Sequence, residues 1–304
     1  MYCLETTGLV YSYSSDHTVL KSIDLQVPQG SIYGFLGPNG AGKTTALRLI
    51  LGLLKPQQGT ISFFQKRFDE HRIEILGSVG SLIETPSLYE HLTAMENLAV
   101  WRTIYRCPVS RIQEVLALVG LSDTGRKKTG AFSLGMKQRM SLAVALLHAP
   151  SVLILDEPTN GLDPSGIIEM RQLLSRLNRE NGVTIVLSSH LLAEIERLVT
   201  DVGIINHGRM VFQGTMNELK RKQQQVLSVC VGTNDDDRAL RILTGHVTGA
   251  RLADGRIVVP AMPKEQIARI SRLLIESGLE VHEIRAISND LETIYMGLVA
   301  EGSS

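Results

Sequence analysis

Residues 37–45 have the types and spacing that bind phosphate. They satisfy the pattern G-x-x-x-x-G-K-[ST], follow the apolar run Ile32–Leu36 and precede a helical pattern. Glycines let such a loop turn successive N–H groups inward, where they and the positive end of the helix attract phosphate oxygens. The predicted phosphate-binding residues are Gly37, Pro38, Asn39, Gly40, Ala41, Gly42, Lys43, Thr44 and Thr45. The Lys43 ammonium would reach the outer phosphates, and the Thr44 hydroxyl would bind Mg²⁺.

Two adjacent carboxylates, Asp156 and Glu157, follow the continuous apolar run Val152–Leu155. Such a run is typical of a strand buried on both faces of a parallel sheet. Because side chains alternate along a strand, we predict that Asp156 holds Mg²⁺ and that Glu157 points elsewhere, where it orients the attacking water. His190 follows the next strand pattern, Thr184–Leu187, after two serines, at the carboxyl edge of the same predicted sheet, so we expect it to contact the γ-phosphate.

A third carboxylate, Glu84, follows the strand pattern that ends at Ile83. A lone carboxylate at the tip of a strand is either a solvated surface charge or a group that faces a metal ion. The local sequence leaves both interpretations open, because Thr85 and Pro86 indicate only that the chain turns away. The choice depends on what surrounds this residue.

The elements that must position these side chains have the order of an α/β fold. Strand patterns over residues 4–35 predict an antiparallel β subdomain, and helical patterns over residues 88–148 predict a helical subdomain. From residue 152 onward strands alternate with helices, including one over residues 191–198, as in a parallel sheet. We therefore predict a P-loop (RecA-like) parallel-sheet core with these two subdomains, over residues 1–220.

A polar run at residues 220–225 is predicted to end this first domain. The pattern after it is strand, helix, two strands around Asp254-Gly255, helix and strand, followed by a last helix. That order predicts a small α+β accessory domain of ferredoxin-like topology over residues 221–304. We expect this domain to bind a small regulatory ligand or to help dimerisation.

Composition limits which partners and metal sites the chain is expected to have. The 31 Lys and Arg residues balance the 31 Asp and Glu residues, so bulk charge gives no support for a nucleic-acid partner. Cys3, Cys107 and Cys230 lack metal-binding spacing and are predicted to be free thiols. No signal peptide is expected, and no apolar run approaches the ~20 residues of a membrane span. Any membrane part would have to come from a partner chain.

Residues 132–137 (FSLGMK) extend these motifs, and together they resemble the nucleotide-binding subunit of an ATP-binding cassette (ABC) transporter. Ser133 and Gly135 match the family's LSGGQ-type signature, whereas Leu134 replaces a glycine. Residues 160–163 match its D-loop, and His190 matches its switch histidine. The resemblance covers about residues 4–220 and implies an ATPase that uses ATP and Mg²⁺.

The resemblance also implies that one chain cannot complete a site. In the family, the signature of one subunit covers the γ-phosphate held by the other, which assigns Ser133 and Gly135 to ATP across a dimer. The dimer could form from two copies of this chain or with a related subunit. An aromatic residue before the P-loop normally stacks on adenine. Tyr13 is the predicted residue, but alternation puts Tyr11 on the same strand face and leaves it open as the alternative.

A narrower resemblance is to the ATP-binding subunits of bacitracin and lantibiotic exporters. It rests on residues 33–36 and 83–89, the signature and the C-terminal extension. It implies an ATPase at the cytoplasmic face of the cell membrane that energises a separate permease, docked through the segment from Glu84 to Tyr105. In most of the family a glutamine that faces Mg²⁺ stands in place of Glu84, so we predict Glu84 as a Mg²⁺ ligand.

Two alternatives concern cargo and class. Exporters of lipids, sodium or drugs share much of this pattern. A soluble ABC ATPase of translation or DNA repair is the other class, but translation-type members usually carry two cassettes. Repair-type members insert a long coiled coil before the signature, and Phe132 follows Lys43 by only 89 positions, which leaves no room for one.

Overall fold

The computed structural model describes residues 1–14, 17–83, 88–223, 226–253, 256–288 and 291–301. The chain divides into two compact units. The larger contains Met1–Met216 and the chain from Leu298 onward, and the smaller contains Asn217–Gly297. Within the described ranges, no helix combines the length and apolarity needed to cross a membrane.

The larger unit contains two sheets and a group of helices. Its strands are β1 (Tyr2–Ser14), β2 (His17–Pro28), β3 (Ile32–Leu36), β4 (Gln58–Phe63), β5 (Lys66–Arg67), β6 (Val79–Leu82), β7 (Val152–Leu155), β8 (Thr184–Ser189), β9 (Asp201–Asn206) and β10 (Arg209–Thr215). Its helices are α1 (Lys43–Ile50), α2 (Phe68–Leu76), α3 (Ala94–Tyr105), α4 (Ser110–Leu118), α5 (Leu134–Leu146), α6 (Pro164–Asn181) and α7 (Leu192–Ile195). The next helix, α8 (Met216–Gln223), belongs to the smaller unit except for its first residue.

The predicted parallel core is confirmed. The six-stranded sheet has the order β10-β9-β3-β8-β7-β6, and its strands pair in parallel except β10, which is antiparallel to β9. All four residues of β7 are fully buried, as the continuous apolar run requires. Because β3, β7 and β8 are neighbours, the P-loop, the two carboxylates and His190 emerge at one sheet edge.

The antiparallel β subdomain is also confirmed, with strand order β2-β1-β4-β5. β1 and β2 are much longer than the short apolar patterns that predict them, and register shifts interrupt their pairing. The helix predicted over residues 191–198 is shorter than expected, because α7 ends at Ile195.

Helices α3, α4 and α5 form the predicted helical subdomain. A capping box begins α3: Glu96 N–H donates to Thr93 Oγ1, and Thr93 N–H donates to the Glu96 carboxylate. Asn97 is fully buried, and its side chain forms hydrogen bonds to residues that precede α3 and to a residue that follows α4. Its amide group bonds to the carbonyls of Tyr89, Leu92 and Thr93, to the Tyr89 N–H and to Thr129 Oγ1.

The smaller unit has the predicted ferredoxin-like topology. Its elements are β11 (Val226–Thr233), α9 (Asp236–Thr244), β12 (Arg251–Ala253), β13 (Arg256–Pro260), α10 (Lys264–Glu276), β14 (Val281–Ser288) and the start of α11 (Leu291–Glu301). The strands form one antiparallel sheet in the order β12-β13-β11-β14. Asp235 is the N-cap of α9, so the acidic run at 235–237 begins a helix as expected. The unit has a core of its own, which includes Val229, Val231, Leu243, Ile257, Val259 and Leu274.

Candidate nucleotide-binding site

The phosphate loop lies between β3 and α1 and depends on close backbone approaches. A Cβ on Gly37 would lie 2.4 Å from the Ile205 carbonyl oxygen, so only glycine fits where the loop crosses β9. The Gly37 N–H donates to the Ser189 carbonyl at 3.3 Å, which ties the start of the loop to the end of β8. Gly42 precedes α1 with φ of 108°, a conformation that glycine adopts without strain.

Lys43 is 6% exposed and lies inside this loop. Its Nζ donates to the Gly37 carbonyl at 2.7 Å and to the Pro38 carbonyl at 3.4 Å. It also lies 3.3 Å from Glu157 Oε1. The ammonium is therefore held at the centre of the loop by its own backbone and by a carboxylate.

The two predicted Mg²⁺ ligands that the structure describes lie together. Thr44 Oγ1 donates to Asp156 Oδ2 at 2.7 Å, so a hydroxyl and a carboxylate oxygen meet at the edge of the sheet. Hard oxygen donors of this kind suit Mg²⁺. Among the described residues, no group of three or more His, Cys, Asp or Glu side chains is arranged to hold a metal ion. The third predicted ligand, Glu84, lies outside the described residues.

Ser188 is a functional residue that the sequence reasoning missed. It is fully buried at the end of β8, and its Oγ donates to Asp156 Oδ1 at 2.5 Å. The same Oγ accepts the Glu157 N–H at 2.8 Å. One hydroxyl therefore fixes both carboxylate residues. A polar residue that follows three apolar positions, 185–187, near a strand's carboxyl end was the available signal.

Glu157 reaches its position in a way that alternation does not explain. β7 ends at Leu155, and Glu157 has φ of 47°, in the left-handed region that non-glycine residues rarely adopt. Its two oxygens lie 3.3 Å from Lys43 Nζ and 2.9 Å from His190 Nδ1. The structure therefore brings both predicted catalytic residues together beside the phosphate loop.

These groups line a cavity of about 520 Å³. Its walls consist of Tyr13, His17, Val19, Asn39, Gly40, Gly42, Lys43, Thr44, Thr45, Glu157, Asn160 and His190. Tyr13 lines the cavity and its hydroxyl lies 3.3 Å from Thr45 Oγ1. Tyr11 packs against the core and meets the Tyr13 ring edge-on at 5.0 Å. His17 and Val19 were not predicted, because nothing local distinguishes them from ordinary strand residues. Asn160 was predicted only as part of the D-loop, through the family resemblance, and not as a residue that lines this cavity.

The signature residues lie elsewhere. Ser133 is the N-cap of α5, and its Oγ accepts the Met136 N–H at 3.3 Å. Gly135 lies beside Leu162, since a Cβ on Gly135 would be 3.7 Å from Leu162 Cδ2. Within the part of the chain that the structure describes, the lining of the nucleotide cavity includes neither Ser133 nor Gly135.

Comparison with known proteins places this site in a family. A family model described as ABC transporter matches residues 20–160. The chain is 41% identical over 303 residues to the bacitracin transport ATP-binding protein BcrA of Bacillus licheniformis, a match that covers 99% of this chain and 98% of that protein. The chain belongs to the ABC transporter ATP-binding family. It is an ATP-binding subunit with ATPase activity, as the phosphate loop and carboxylate pair predict.

A lantibiotic transport protein and two solved cassette structures match less of this chain. The lantibiotic transport ATP-binding protein SrtF of Streptococcus pyogenes is 39% identical over 210 residues, which covers 69% of this chain and 90% of that protein. The structure of cbiO1 from Clostridium perfringens, part of the complex cbiONQ, superposes with a TM-score of 0.67 at 30% identity over 74% of this chain and 93% of that one. The dimeric ATP-binding cassette MJ0796, bound to ADP and Pi, has a TM-score of 0.62 at 25% identity over 70% of this chain and 98% of that one.

Proposed function

We propose that this ABC subunit hydrolyses ATP as a dimer at the cytoplasmic face of the membrane and drives a separate permease that exports a peptide antibiotic such as bacitracin. The observation that carries the hydrolytic part is the position of Glu157. Its carboxylate lies between Lys43 in the phosphate loop and His190 at the end of β8. A water molecule beside it would be next to the γ-phosphate.

The described residues divide the chemistry among them. The loop N–H groups and Lys43 bind the phosphates, and Tyr13 stacks on adenine. Thr44 and Asp156 hold Mg²⁺, which when bound neutralises charge on the phosphate oxygens. Glu157 orients the attacking water and accepts its proton, while the His190 ring holds the Glu157 carboxylate and faces the γ-phosphate. Ser188 fixes Asp156 and the Glu157 backbone.

A dimer is supported because the signature residues Ser133 and Gly135 lie outside the phosphate-loop cavity of their own chain. Ser133 is exposed at the start of α5, where the helix N-terminus attracts anions, yet it is not part of the phosphate-loop cavity of its own chain. A second copy would bring its Ser133 and Gly135 to the γ-phosphate. The related cassette MJ0796 is described as dimeric.

The surface proposed for the permease is an apolar groove of about 290 Å³ on the larger unit. Its lining includes Leu53, Ile83, Leu88, Trp101 and Tyr105, and Leu53 is 62% exposed at its rim. An amphipathic helix of a permease would bury its apolar face in such a groove.

The cargo assignment rests on how much of the chain each relative matches. BcrA matches almost all of it, whereas the SrtF match leaves about a third without a counterpart. This difference favours a bacitracin-type peptide over a lantibiotic.

The hydrolytic proposal is tested with Glu157→Gln. The variant should bind ATP and accumulate as a dimer without turnover, because the amide cannot accept the proton from water. Phosphate release and light scattering after gel filtration measure the two effects. Glu180→Gln, on an exposed residue at the end of α6, is the matched control and should behave as wild type. Wild-type turnover by Glu157→Gln would refute the assigned role.

The permease proposal is tested with Leu53→Glu. A carboxylate at the groove rim should abolish co-purification with the permease and bacitracin resistance in a host strain, while ATP hydrolysis by the isolated subunit persists. Ile73→Glu, on a residue that is 90% exposed on α2 and outside the groove, is the control. Unchanged co-purification of the Leu53→Glu variant would exclude this groove as the docking site.

A further inference from the structure

The smaller unit contains a cavity of about 660 Å³ that the proposed ATPase cycle does not use. Three parts of the unit form it: residues 246–248 after α9, residues 260–262 at the end of β13, and one face of α10. Gln266, Arg269, Leu273 and Glu276 recur on α10 every three or four positions, so they line the cavity as a single stripe. The volume is within the range of sites that hold small organic ligands.

The inner part of this cavity is apolar. Ile270 is 5% exposed and belongs to the core of the unit. Val247 and Met262 are partly buried and pack against the same core. Leu273 is half-buried on the α10 stripe. An apolar ligand body would therefore remove additional apolar surface from water beside an existing core.

The rim is cationic. Arg269 and Arg272 lie three positions apart on α10, and both side chains are exposed. Neither guanidinium has an ion pair or hydrogen bond to another group within the described part of the chain. Among the described residues that line the cavity, Glu276 is the single carboxylate, so the two arginines leave a positive balance. His246 also lines the cavity, and its Nδ1 is 3.0 Å from the Ile242 carbonyl oxygen.

We propose that this cavity binds a small amphiphilic anion, whose apolar body lies on Val247, Met262, Ile270 and Leu273 and whose carboxylate, phosphate or sulfonate group is bound by Arg269 and Arg272. A guanidinium binds such groups through two parallel N–H donors, which an ammonium cannot match. The site stands apart from ATP hydrolysis and does not depend on the cargo.

Fluorescence titration of the full chain with 8-anilinonaphthalene-1-sulfonate tests the proposal, with saturating ADP present to occupy the nucleotide cavity. The dye should brighten on binding, and octanoate should displace it, whereas octylamine should not. The double variant Arg269→Ala/Arg272→Ala should weaken octanoate displacement about tenfold or more, since two charge-assisted hydrogen-bonding groups are lost. Arg241→Ala, on an exposed arginine of α9 outside the cavity, should change nothing.

A second variant separates binding from folding. Ala261 is exposed in the cavity wall, so Ala261→Trp should fill the cavity and abolish displacement without changing the thermal midpoint. Equal displacement by octanoate and octylamine would overturn the proposal, as would wild-type affinity in the double variant. Neither result would affect the Glu157 experiment, so the two proposals fail separately.

The source of such an anion is distinguished by co-sedimentation with vesicles. If phosphatidylglycerol vesicles retain the wild-type chain and release the double variant, while phosphatidylcholine vesicles retain neither, the ligand is a membrane lipid. If octanoate binds but vesicles retain neither protein, the ligand is a soluble anion.

Discussion

Glu157 combines a strained backbone with two charged contacts. A left-handed conformation at a non-glycine residue costs on the order of 1–3 kcal/mol and persists only where neighbouring groups enforce it. Here the Glu157 N–H is held by Ser188 Oγ, and the side chain is held by Lys43 and His190. The strained conformation places the Glu157 carboxylate beside the phosphate loop. If the strand had continued, the same side chain would have pointed away from the loop.

Ser188 is expected to act through Asp156 and Glu157, since it does not line the nucleotide cavity. Ser188→Ala would leave a partly buried Asp156 carboxylate oxygen and the partly buried Glu157 N–H without this partner, a loss of about 1–3 kcal/mol. We expect kcat for ATP hydrolysis to fall about tenfold with little change in KM, because the phosphate loop is intact. Steady-state kinetics measure the split between kcat and KM.

Two further variants make that result specific. Ser188→Thr keeps the hydroxyl and should recover most of the lost kcat. Ser31→Ala removes another buried hydroxyl, one that donates to the Pro28 carbonyl away from the site, and should leave kinetics unchanged. A wild-type kcat in Ser188→Ala would show that the hydroxyl does not position the carboxylates.

At the scale of elements, the helical subdomain is joined to the sheet by an aromatic stack that includes a half-buried histidine. His148 follows α5, stacks on Tyr105 of α3 with ring centroids 4.5 Å apart, and has its Nε2 3.1 Å from the Val79 carbonyl in β6. Burial lowers the pKa of His148 below 6.5, and nearby Arg111 lowers it further, against the opposing effect of the Val79 hydrogen bond. Protonation of the His148 ring is therefore expected to destabilise the packing of α3, the end of α5 and β6 against one another.

This shift gives stability a pH dependence with a defined sign. Because the pKa of His148 is lower in the folded chain, the unfolded chain binds more protons below about pH 6.5, and the free energy of unfolding should fall as pH falls below that value. His148→Gln should reduce this slope, while His282→Gln, on an exposed histidine, should not. Urea unfolding at about one pH unit above and below 6.5 measures it. Identical slopes in wild type and His148→Gln would contradict the assignment.

The sequence predicts an element well when a single local signal marks it, such as an apolar run or a helix-capping residue. The apolar run of β7, the Ser133 cap of α5 and the strand order of the smaller unit are of this kind. Helix α2 was missed because only Phe68 and Ile75 are buried on it, so no apolar stripe marks it. The antiparallel edge strand β10 was missed because none of its residues is fully buried.

The sequence predicts which residues meet at the nucleotide site. It does not predict the backbone conformation or the hydrogen bonds that hold them there. Lys43, Thr44, Asp156, Glu157 and His190 all lie at the expected sheet edge. The positive φ of Glu157 and the double role of Ser188 depend on how β7 and β8 end side by side, which is a tertiary property. The choice of Tyr13 over Tyr11 in the cavity lining has the same origin, since local alternation treats them alike.

For the whole molecule, the two units differ in what they contribute. Every described residue that lines the nucleotide cavity precedes residue 191, and the signature precedes residue 140. The smaller unit has its own sheet, its own core and the amphiphile cavity. SrtF, which matches about two thirds of this chain, shows that a shorter member of the family exists.

A chain that ends at Gln223 loses the larger unit's residues from Leu298 onward but keeps every described residue that lines the nucleotide cavity, so it should bind and hydrolyse ATP with an unchanged kcat. The Glu157→Gln form of the shortened chain should still dimerise with ATP, because Ser133, Gly135 and the phosphate loop are all present. The shortened chain should lose dye displacement by octanoate completely, since Arg269, Arg272 and the apolar lining are removed. Circular dichroism checks folding, and phosphate release, gel filtration and fluorescence measure the three functions. A folded but inactive shortened chain would show that the smaller unit completes the catalytic dimer, and its role would then be assembly rather than ligand binding alone.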